Sequence, residues 1–372
     1  MRQLERFESG GAGGRLEQGD VAVGGVQADD AHGFSNGLWW FCILAWKWLR
    51  VVPDDGIRSA PRPPWHATRQ QWAPTGQLSA FDVDAEIIDN RPCRLKPLHL
   101  VDNDTEMLNL SDNLGLATDL LLHAETGMVE SQDDYIVVRT PDAPEYFFGN
   151  MLVLEQRPSG TDLKRLESDF AQFVGIPPLI AHRTFAWPER ADSVVNLDAF
   201  VEQGYDATVC RVLAAHPNDI RSVATNSLVE VRKFGTQKDW DDWSRMQLAD
   251  MSNPSNITSQ RYLAHQQTAY RTLIARGLGN WWGAFINEEQ VGSLGLFFLG
   301  GIGRFQSVLT AEQHRNRNVC KTLVSEVIKL TAGQSDRLVM VADESYHAGA
   351  LYEAMGFQLQ GRVASLCQEP RN

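Results

Sequence analysis

Residues 314–320 read His314-Arg315-Asn316-Arg317-Asn318-Val319-Cys320, a basic turn between a strand pattern and a helix pattern. The strand pattern before it is Arg304-Phe305-Gln306-Ser307-Val308-Leu309-Thr310. In the helix pattern after it, Val319, Leu323, Val327 and Leu330 recur at helical spacing. The first N–H groups of a helix lack intrahelical acceptors and lie at the positive end of its dipole. This order of strand, basic turn and helix therefore predicts a site for a phosphate group.

Composition narrows the class of protein. A chain of 372 residues is long enough for two ordinary domains with full cores. Its net charge of -13 argues against a nucleic-acid partner, because phosphate contacts dominate such binding and would meet repulsion. The cysteines, Cys42, Cys93, Cys210, Cys320 and Cys367, are scattered and odd in number, without metal-ligand spacing. We expect free thiols, no metal site and a cytoplasmic protein.

A membrane partner is not expected either. The most apolar run, residues 38–46, is ended by Lys47, and Arg50 follows shortly after. It is far shorter than the roughly 20 residues that span a bilayer. It also lies too far from Met1 for an ordinary secretory signal.

Residues 1–106 differ from the rest of the chain. They are rich in Gly and Asp early and in Pro, Arg and Trp later, without sustained helical or strand periodicity. One interpretation is a disordered arm that binds a partner. The other, which composition favours, is a non-native extension, with translation beginning near Met107. We assign no function to this segment.

A folded pattern of modest size occupies residues 107–225. Strands are predicted at 135–138, at 182–187 and at 209–213, with one or two more within 146–155. Two helices are predicted, one around Leu163 to Phe173 and one from Asn196 to about Gly204. The segment therefore reads as a small α+β domain.

A second unit is predicted at residues 226–369. It begins with a strand at 228–232, a capping box at Thr236 and Asp239 before a helix, and a second helix at 259–276. Strands at 281–286, 291–299 and 304–309 follow one another through short turns and predict an antiparallel meander. The helix after the basic turn, a strand at 338–341, a helix at 345–355 and a last strand from Phe357 complete the pattern.

Two motifs in this second unit carry a family resemblance. The first is Arg315-x-x-Asn318-x-Cys320, and the second is Ser345-x-x-Ala348-x-x-Leu351-Tyr352-Glu353-x-x-Gly356-Phe357. With the order of elements around them, they resemble the GNAT superfamily of acyl-CoA-dependent N-acyltransferases over residues 227–366. Residues 129–213 resemble, more weakly, the degenerate N-terminal half of its two-domain, tandem members. The resemblance implies an α+β fold with a mixed α/β sheet in each half.

The resemblance also implies where a coenzyme would bind. In the family the strand before the loop diverges from its parallel neighbour and pairs with the pantetheine amides, a role that would fall to Val308, Leu309 and Thr310. The pyrophosphate would lie on the loop, whose members here are Arg315, Asn316, Arg317, Asn318, Val319 and Cys320. The alternative for these residues is a solvated basic helix cap. No metal is implied.

Tyr352 is the candidate catalytic residue. By resemblance, its hydroxyl would protonate or hydrogen-bond the departing CoA thiolate as a general acid. The alternative is a core tyrosine on an amphipathic helix. Ser345 lies seven residues earlier, on the same helical face, and would either contact pantetheine or cap the helix.

The motif departs from the family pattern at two positions and lacks an obvious base. Asn318 and Cys320 stand where the family has small Gly or Ala residues, although Asn tolerates the left-handed conformation. Leu309 occupies a strand end where a carboxylate would be sought. The nearby titratable groups, Glu312, His314, Glu344 and His347, are expected at the surface, so no general base is assigned.

Aromatic residues suggest two places for an acceptor. Trp281 and Trp282 point to opposite faces of one strand, so one could line a cleft. Phe147, Phe148 and Trp187 could line a site between the halves. Core packing is the alternative for each, and for the second group the better one.

Together these features predict an N-acetyltransferase. Acetyl would move from acetyl-CoA to a primary amine of a small-molecule or peptide acceptor by direct attack, with a strand-end N–H stabilising the oxyanion of the tetrahedral intermediate. The C-terminal half alone would hold the coenzyme. The alternative is a non-catalytic acyl-CoA sensor, which the two departures and the missing base favour. A P-loop or dinucleotide site is excluded because neither glycine fingerprint is present.

Overall fold

The computed structural model describes residues 113–132, 134–251 and 254–369. The proposals for residues 1–106 therefore lie outside the described part of the chain. The described helices are α1 Leu114–Thr126, α2 Leu163–Phe173, α3 Asp198–Val201, α4 Gln237–Asp250, α5 Ile257–Ala275, α6 Val319–Leu330 and α7 Ala348–Ala354. None of these described helices has the length and hydropathy needed to cross a membrane.

Eleven strands form one continuous mixed sheet. They are β1 Met128–Gln132, β2 Tyr135–Arg139, β3 Met151–Leu154, β4 Arg183–Glu189, β5 Asp206–Ala215, β6 Glu230–Lys233, β7 Gly279–Ile286, β8 Glu289–Leu299, β9 Ile302–Thr310, β10 Arg337–Asp343 and β11 Gln358–Gln368. Their order across the sheet is β1-β2-β3-β4-β11-β5-β10-β9-β8-β7-β6.

The two halves of the sheet repeat one topology. In the first half, β1, β2 and β3 are antiparallel, and α2 leads from β3 to the parallel strand β4. In the second half, β7, β8 and β9 are antiparallel, and α6 leads from β9 to the parallel strand β10. The mixed α/β sheet and the tandem repeat are therefore confirmed.

Each half donates its last strand to the other. Strand β5, from the first half, pairs antiparallel with both β10 and β11 of the second half. Strand β11, from the second half, pairs antiparallel with β4 and β5 of the first half. The boundary predicted between residues 225 and 226 falls between β5 and β6, in a chain whose sheet is unbroken.

Helices cover both faces of the sheet. Because strand residues alternate between faces, Val212 of β5 joins the core beneath α1, α4 and α5, while its neighbour Leu213 joins the core beneath α6 and α7. A third core lies between the first half of the sheet and α2 and α3. The first of these cores runs across both halves, which binds them into one body.

A buried ion pair also joins the halves. Arg304 on β9 is 1% exposed, and its Nη2 lies 2.7 Å from Oδ1 of Asp119 on α1, which is equally buried. Burial raises the pKa of Asp119, while the charge and hydrogen bond of Arg304 lower it. Removing one partner of such a pair leaves a buried charge uncompensated, so the pair strengthens the dependence of each half on the other.

The structure changes two local details of the prediction. Of the one or two strands predicted within residues 146–155, one forms, β3, while residues 147–149 are a 3₁₀ turn, because the Asn150 amide donates to the carbonyls of Ala143 and Tyr146 and fixes a compact loop. Helix α7 begins at Ala348, three residues later than predicted, because Ser345 takes part in a turn with Asp343. Helix α1 and strand β1 were not predicted at all.

Candidate functional site

Strands β9 and β10 diverge along their length. Their parallel pairing covers only Ile302–Arg304 of β9. Beyond it β9 is bulged, with Ser307 in a left-handed conformation at φ 42° and a shift of register against β8. A bulge bends and twists its strand, so the carboxyl end of β9 separates from β10. This is the divergence that the family resemblance implied.

Two asparagines shape the turn before α6. Asn316 and Asn318 both adopt left-handed conformations, with φ of 59° and 58°. Asn is the non-glycine residue that accepts this region most readily, so the turn forms without the family's glycine. The carbonyl of Asn318 accepts bonds from the backbone N–H and the hydroxyl of Thr322, at 3.0 and 2.8 Å. Helix α6 therefore begins at Val319.

A cavity of about 340 Å³ opens at this point, and we call it the cofactor cavity. Nine of the predicted site residues line it: Val308, Leu309, Thr310, Arg315, Asn316, Asn318, Val319, Cys320 and Tyr352. His314, Lys321, Tyr346, His347, Ala348 and Leu351 complete the lining. The N-terminus of α6 thus faces a concave space flanked by β9 and α7. Residues 319–321, in the first turn of α6, carry the N–H groups that an anion would use.

Two predicted residues lie outside this lining. The carbonyl of Arg317 accepts a bond of 3.0 Å from the Asn226 side chain, and the residue is exposed. The backbone N–H and hydroxyl of Ser345 bond the carboxylate of Asp343, at 2.8 and 2.7 Å. Ser345 therefore neither lines the cavity nor caps α7, whose N-cap position is His347 and has no side-chain cap bond.

Tyr352 forms part of the buried wall of the cofactor cavity. It is 1% exposed, and its hydroxyl lies beside the Cys320 thiol. Burial raises the pKa of Tyr352 well above its usual value of 10.0 and that of Cys320 to about 11. Both groups are protonated at neutral pH, so Tyr352 has a proton to donate and Cys320 is a poor nucleophile.

Arg315 bridges the site to helix α4. Its Nη2 lies 2.5 Å from Oδ1 of Asp250, and its Nε donates to the Thr310 carbonyl at 3.2 Å. Burial raises the pKa of Asp250, the Arg315 charge opposes the shift, and nearby Glu312 adds to it. Asp250 was missed from sequence, because nothing in the pattern of a helix end predicts a partner 65 residues away.

A second, larger cavity adjoins the first, and we call it the acidic cavity. Its volume is about 570 Å³, and Leu309 lines both cavities. It is lined by Lys238, Asp242, Arg245, Met246, Ala249, Asp250, Asn287, Glu288, Glu289, Gln290, Leu309, Ala311, Glu312 and Gln313. The two spaces meet at the carboxyl end of β9.

The four titratable side chains considered as general bases lie in different surroundings. Glu344 accepts a hydrogen bond from Arg362, and His347 packs against Tyr346 with ring centroids 4.0 Å apart and the planes tilted by 43°. Glu312 is exposed on the acidic cavity. His314 lies between the cavities: it lines the cofactor cavity, and its Nε2 is 4.0 Å from Glu289 Oε1. Of these four groups, His314 is the best placed to reach both spaces.

The aromatic candidates are core residues. Trp281 is 1% exposed and packs on Trp243 and Tyr270, and Trp282 is 3% exposed on the opposite face. Neither lines either cavity. Phe148 and Trp187 are buried and Phe147 packs on His182, so core packing accounts for them.

Comparisons with known proteins agree with this geometry. The model of the acetyltransferase (GNAT) family matches residues 240–357, which contain every lining residue of both cavities except Lys238. No curated protein sequence matches the chain. The chain shares its fold with a conserved Staphylococcus epidermidis protein of unknown function, at 14% identity and a TM-score of 0.54, covering 66% of this chain and 95% of that one.

Two further solved structures are more distant. A GCN5-related N-acetyltransferase from Kribbella flavida is 11% identical, with a TM-score of 0.48 and coverage of 71% of this chain and 96% of that one. A tandem GNAT protein from the clavulanic acid biosynthesis pathway is 12% identical, with a TM-score of 0.41 and coverage of 71% and 97%. Residues 240–357 therefore form a domain of the acetyltransferase (GNAT) family, whose co-substrate is an acyl-CoA.

Proposed function

We propose that the chain is an N-acetyltransferase that moves acetyl from acetyl-CoA to a primary amine. The observation that carries the proposal is the cofactor cavity itself, in which a diverging strand end, a helix N-terminus and a protonated buried tyrosine face one space. Each of these features has a use with a thioester of CoA. Together they support acyl transfer better than any other chemistry of the described residues.

The cavity residues divide the binding between them. The end of β9, at Val308 to Thr310, supplies backbone groups along which the pantetheine amides can pair. The first turn of α6 supplies N–H groups to the pyrophosphate, and Arg315 and Lys321 add positive charge. Asn318 holds the turn in the left-handed conformation that exposes these groups.

The transfer step needs two proton movements. The neutral amine attacks the thioester carbonyl, a C–N bond forms, the C–S bond breaks, and the thiolate leaves with the proton of Tyr352. The attacking nitrogen loses a proton, and we assign its removal to His314, which is half-buried between the cavities. Proton transfer by a positioned side chain contributes roughly 100- to 10,000-fold to such a rate.

A non-catalytic acyl-CoA sensor is the second candidate. It is favoured by two contacts already made within the site, Tyr352 with Cys320 and Arg315 with Asp250. In each contact, a side chain that catalysis would use, Tyr352 or Arg315, already interacts with another residue of the protein.

Release of free thiol from acetyl-CoA, measured across a panel of primary amines, decides between the candidates. We expect amine-dependent thiol release that falls about 100-fold in Tyr352→Phe. Saturable acetyl-CoA binding without thiol release from any amine would support the sensor and contradict the enzyme.

A further inference from the structure

The charges of the acidic cavity are unbalanced. Its cationic side chains, Lys238 and Arg245, both pair with Asp242, at 2.6 Å for Lys238. The other acidic lining residues are Asp250, Glu288, Glu289 and Glu312. The lining therefore carries five carboxylates against two cations, and Arg315, which lines the cofactor cavity, pairs with one of these four, Asp250. The cavity presents a negative potential beside Leu309, where it meets the cofactor cavity.

A buried amide without a partner points into the same space. Gln290 is 8% exposed and lines the acidic cavity, yet neither its Oε1 nor its Nε2 has a hydrogen-bond partner among the described residues. Gln290 pairs with Phe285 of β7, whose neighbours Ala284 and Ile286 pack on the α6 face, so the Gln290 side chain points to the opposite face, toward α4. A buried amide left unpaired costs free energy, which a polar ligand would recover.

One carboxylate oxygen of Asp250 is also buried without a hydrogen-bond partner among the described residues. Its Oδ1 is paired with Arg315, whereas its Oδ2 is buried and has no partner among the described residues. Glu312 lies close enough to raise the pKa of Asp250, so two acidic groups repel each other across the cavity wall. A cation between them would remove that repulsion and bond the Asp250 oxygen.

We infer that the acidic cavity is the acceptor site and that its substrate class is the aliphatic diamine: a small molecule with one primary amine for acylation and a second, cationic amine. This rests on the proposed function. The attacking amine must be neutral, so it gains nothing from the carboxylates. The second amine remains protonated, and Asp250, Glu289 and Glu312 attract it while the Gln290 carbonyl oxygen accepts one of its N–H groups. The volume of about 570 Å³ suits a small molecule.

Calorimetry with three acceptors of similar length tests the inference. Putrescine, butylamine and gamma-aminobutyrate differ in the group opposite the reactive amine, which is cationic, apolar or anionic. Each is titrated into the full chain saturated with CoA. We expect putrescine to bind at least roughly tenfold more tightly than butylamine, equivalent to about 1.4 kcal/mol, and gamma-aminobutyrate to bind most weakly. The preference should shrink as salt increases.

Matched variants locate the effect. Glu312→Gln removes an exposed charge of the cavity, and Gln290→Leu replaces the unpaired amide with a side chain of similar volume. Both should weaken putrescine binding severalfold and leave CoA binding unchanged. Glu202→Gln, which alters an exposed carboxylate next to α3 and outside both cavities, is the control and should change neither.

The outcomes separate this inference from the proposed function. Equal binding of the three acceptors, preference for gamma-aminobutyrate, no binding of putrescine, or putrescine binding indifferent to both cavity variants overturns the inference, whether or not acetyl transfer occurs. Selective putrescine binding without thiol release upholds the acceptor site and contradicts the enzyme. Selective binding with thiol release supports both.

Discussion

Tyr352 combines two properties that a thiolate-protonating acid needs. It is fully buried in the wall of the cofactor cavity, and burial keeps its hydroxyl protonated. Its hydroxyl lies beside the Cys320 thiol, at a position where the family pattern has Gly or Ala.

Replacing Tyr352 with Phe tests its role. The change removes one hydroxyl and keeps the ring packing against Phe357. We expect kcat to fall about 100-fold, as for loss of a general acid, with acetyl-CoA affinity within a factor of about two. Steady-state thiol release and calorimetry measure the two quantities. An unchanged kcat would mean that Tyr352 is only a core residue.

His182 makes the first half of the molecule sensitive to acid. It is 2% exposed, its Nε2 lies 3.0 Å from the Asn150 carbonyl, and burial lowers its pKa to about 4 from 6.5. In the unfolded chain His182 therefore binds a proton below pH 6.5, whereas in the folded protein it binds one only below about pH 4. Stability is lost as pH falls through this window, by about 3 kcal/mol.

The corresponding variant is His182→Gln. Its free energy of unfolding, measured by urea denaturation at pH 7.5, 6, 5 and about 4.5, should decline less steeply toward acid than that of the wild-type protein. Only the slopes are compared, so a lower stability of the variant at every pH does not affect the test. Parallel slopes would contradict the assignment.

At the scale of elements, helix α6 depends on a left-handed residue at its N-cap position. Asn318 precedes it at φ 58°, where glycine is free of strain and a β-branched residue is not. We expect Asn318→Gly to bind acetyl-CoA more tightly, because it removes a side chain beside the phosphates. Asn318→Val should lose about 1 to 2 kcal/mol of stability. Calorimetry and thermal unfolding compare the two variants, and equal stability of both would contradict the account.

Elements with local signals could be predicted from the sequence. The capping box of α4 was predicted from Thr236 and Asp239, and the structure confirms both of its bonds. The meander β7 to β9 and the start of α6 were likewise evident, because turn residues and helical periodicity lie within a few positions of each other. Nine of eleven predicted site residues line one cavity, and all of these except Tyr352 lie within residues 308–320, where the same local signals apply.

Elements and contacts that depend on distant residues could not be predicted. Helix α1 is apolar on most sides, with Leu116, Leu120 and Leu122 buried, so it lacks the amphipathic pattern that identifies a surface helix. The pair of Arg315 with Asp250 and the orientation of Gln290 depend on how α4 packs on the sheet. Sequence periodicity carries no information on such pairings.

At the scale of the whole molecule, the exchange of β5 and β11 makes the halves interdependent. A fragment of residues 226–369 would keep every residue of the cofactor cavity but lose β5, which is the strand that joins β10 to β11. It would also expose two strand edges and leave Arg304 without Asp119.

We therefore expect this fragment not to fold and not to bind acetyl-CoA, although the site lies within it. In the full chain, the described residues should unfold together in a single transition. Circular dichroism and heteronuclear NMR of the fragment check the first point, and calorimetric unfolding the second. A well-dispersed, CoA-binding fragment would show that the halves are independent domains.

The central claim is that acetyl-CoA binds at the N-terminus of α6, and titration calorimetry of acetyl-CoA into the full chain tests it most directly. The matched pair is Arg315→Gln, in the cavity lining, and Arg317→Gln, an exposed neighbour outside it. The account predicts saturable binding at one site per chain, weakened roughly tenfold by Arg315→Gln, as for a lost charge-assisted contact of about 1.4 kcal/mol, and unchanged by Arg317→Gln. Absence of saturable binding, or equal effects of the two variants, would contradict it.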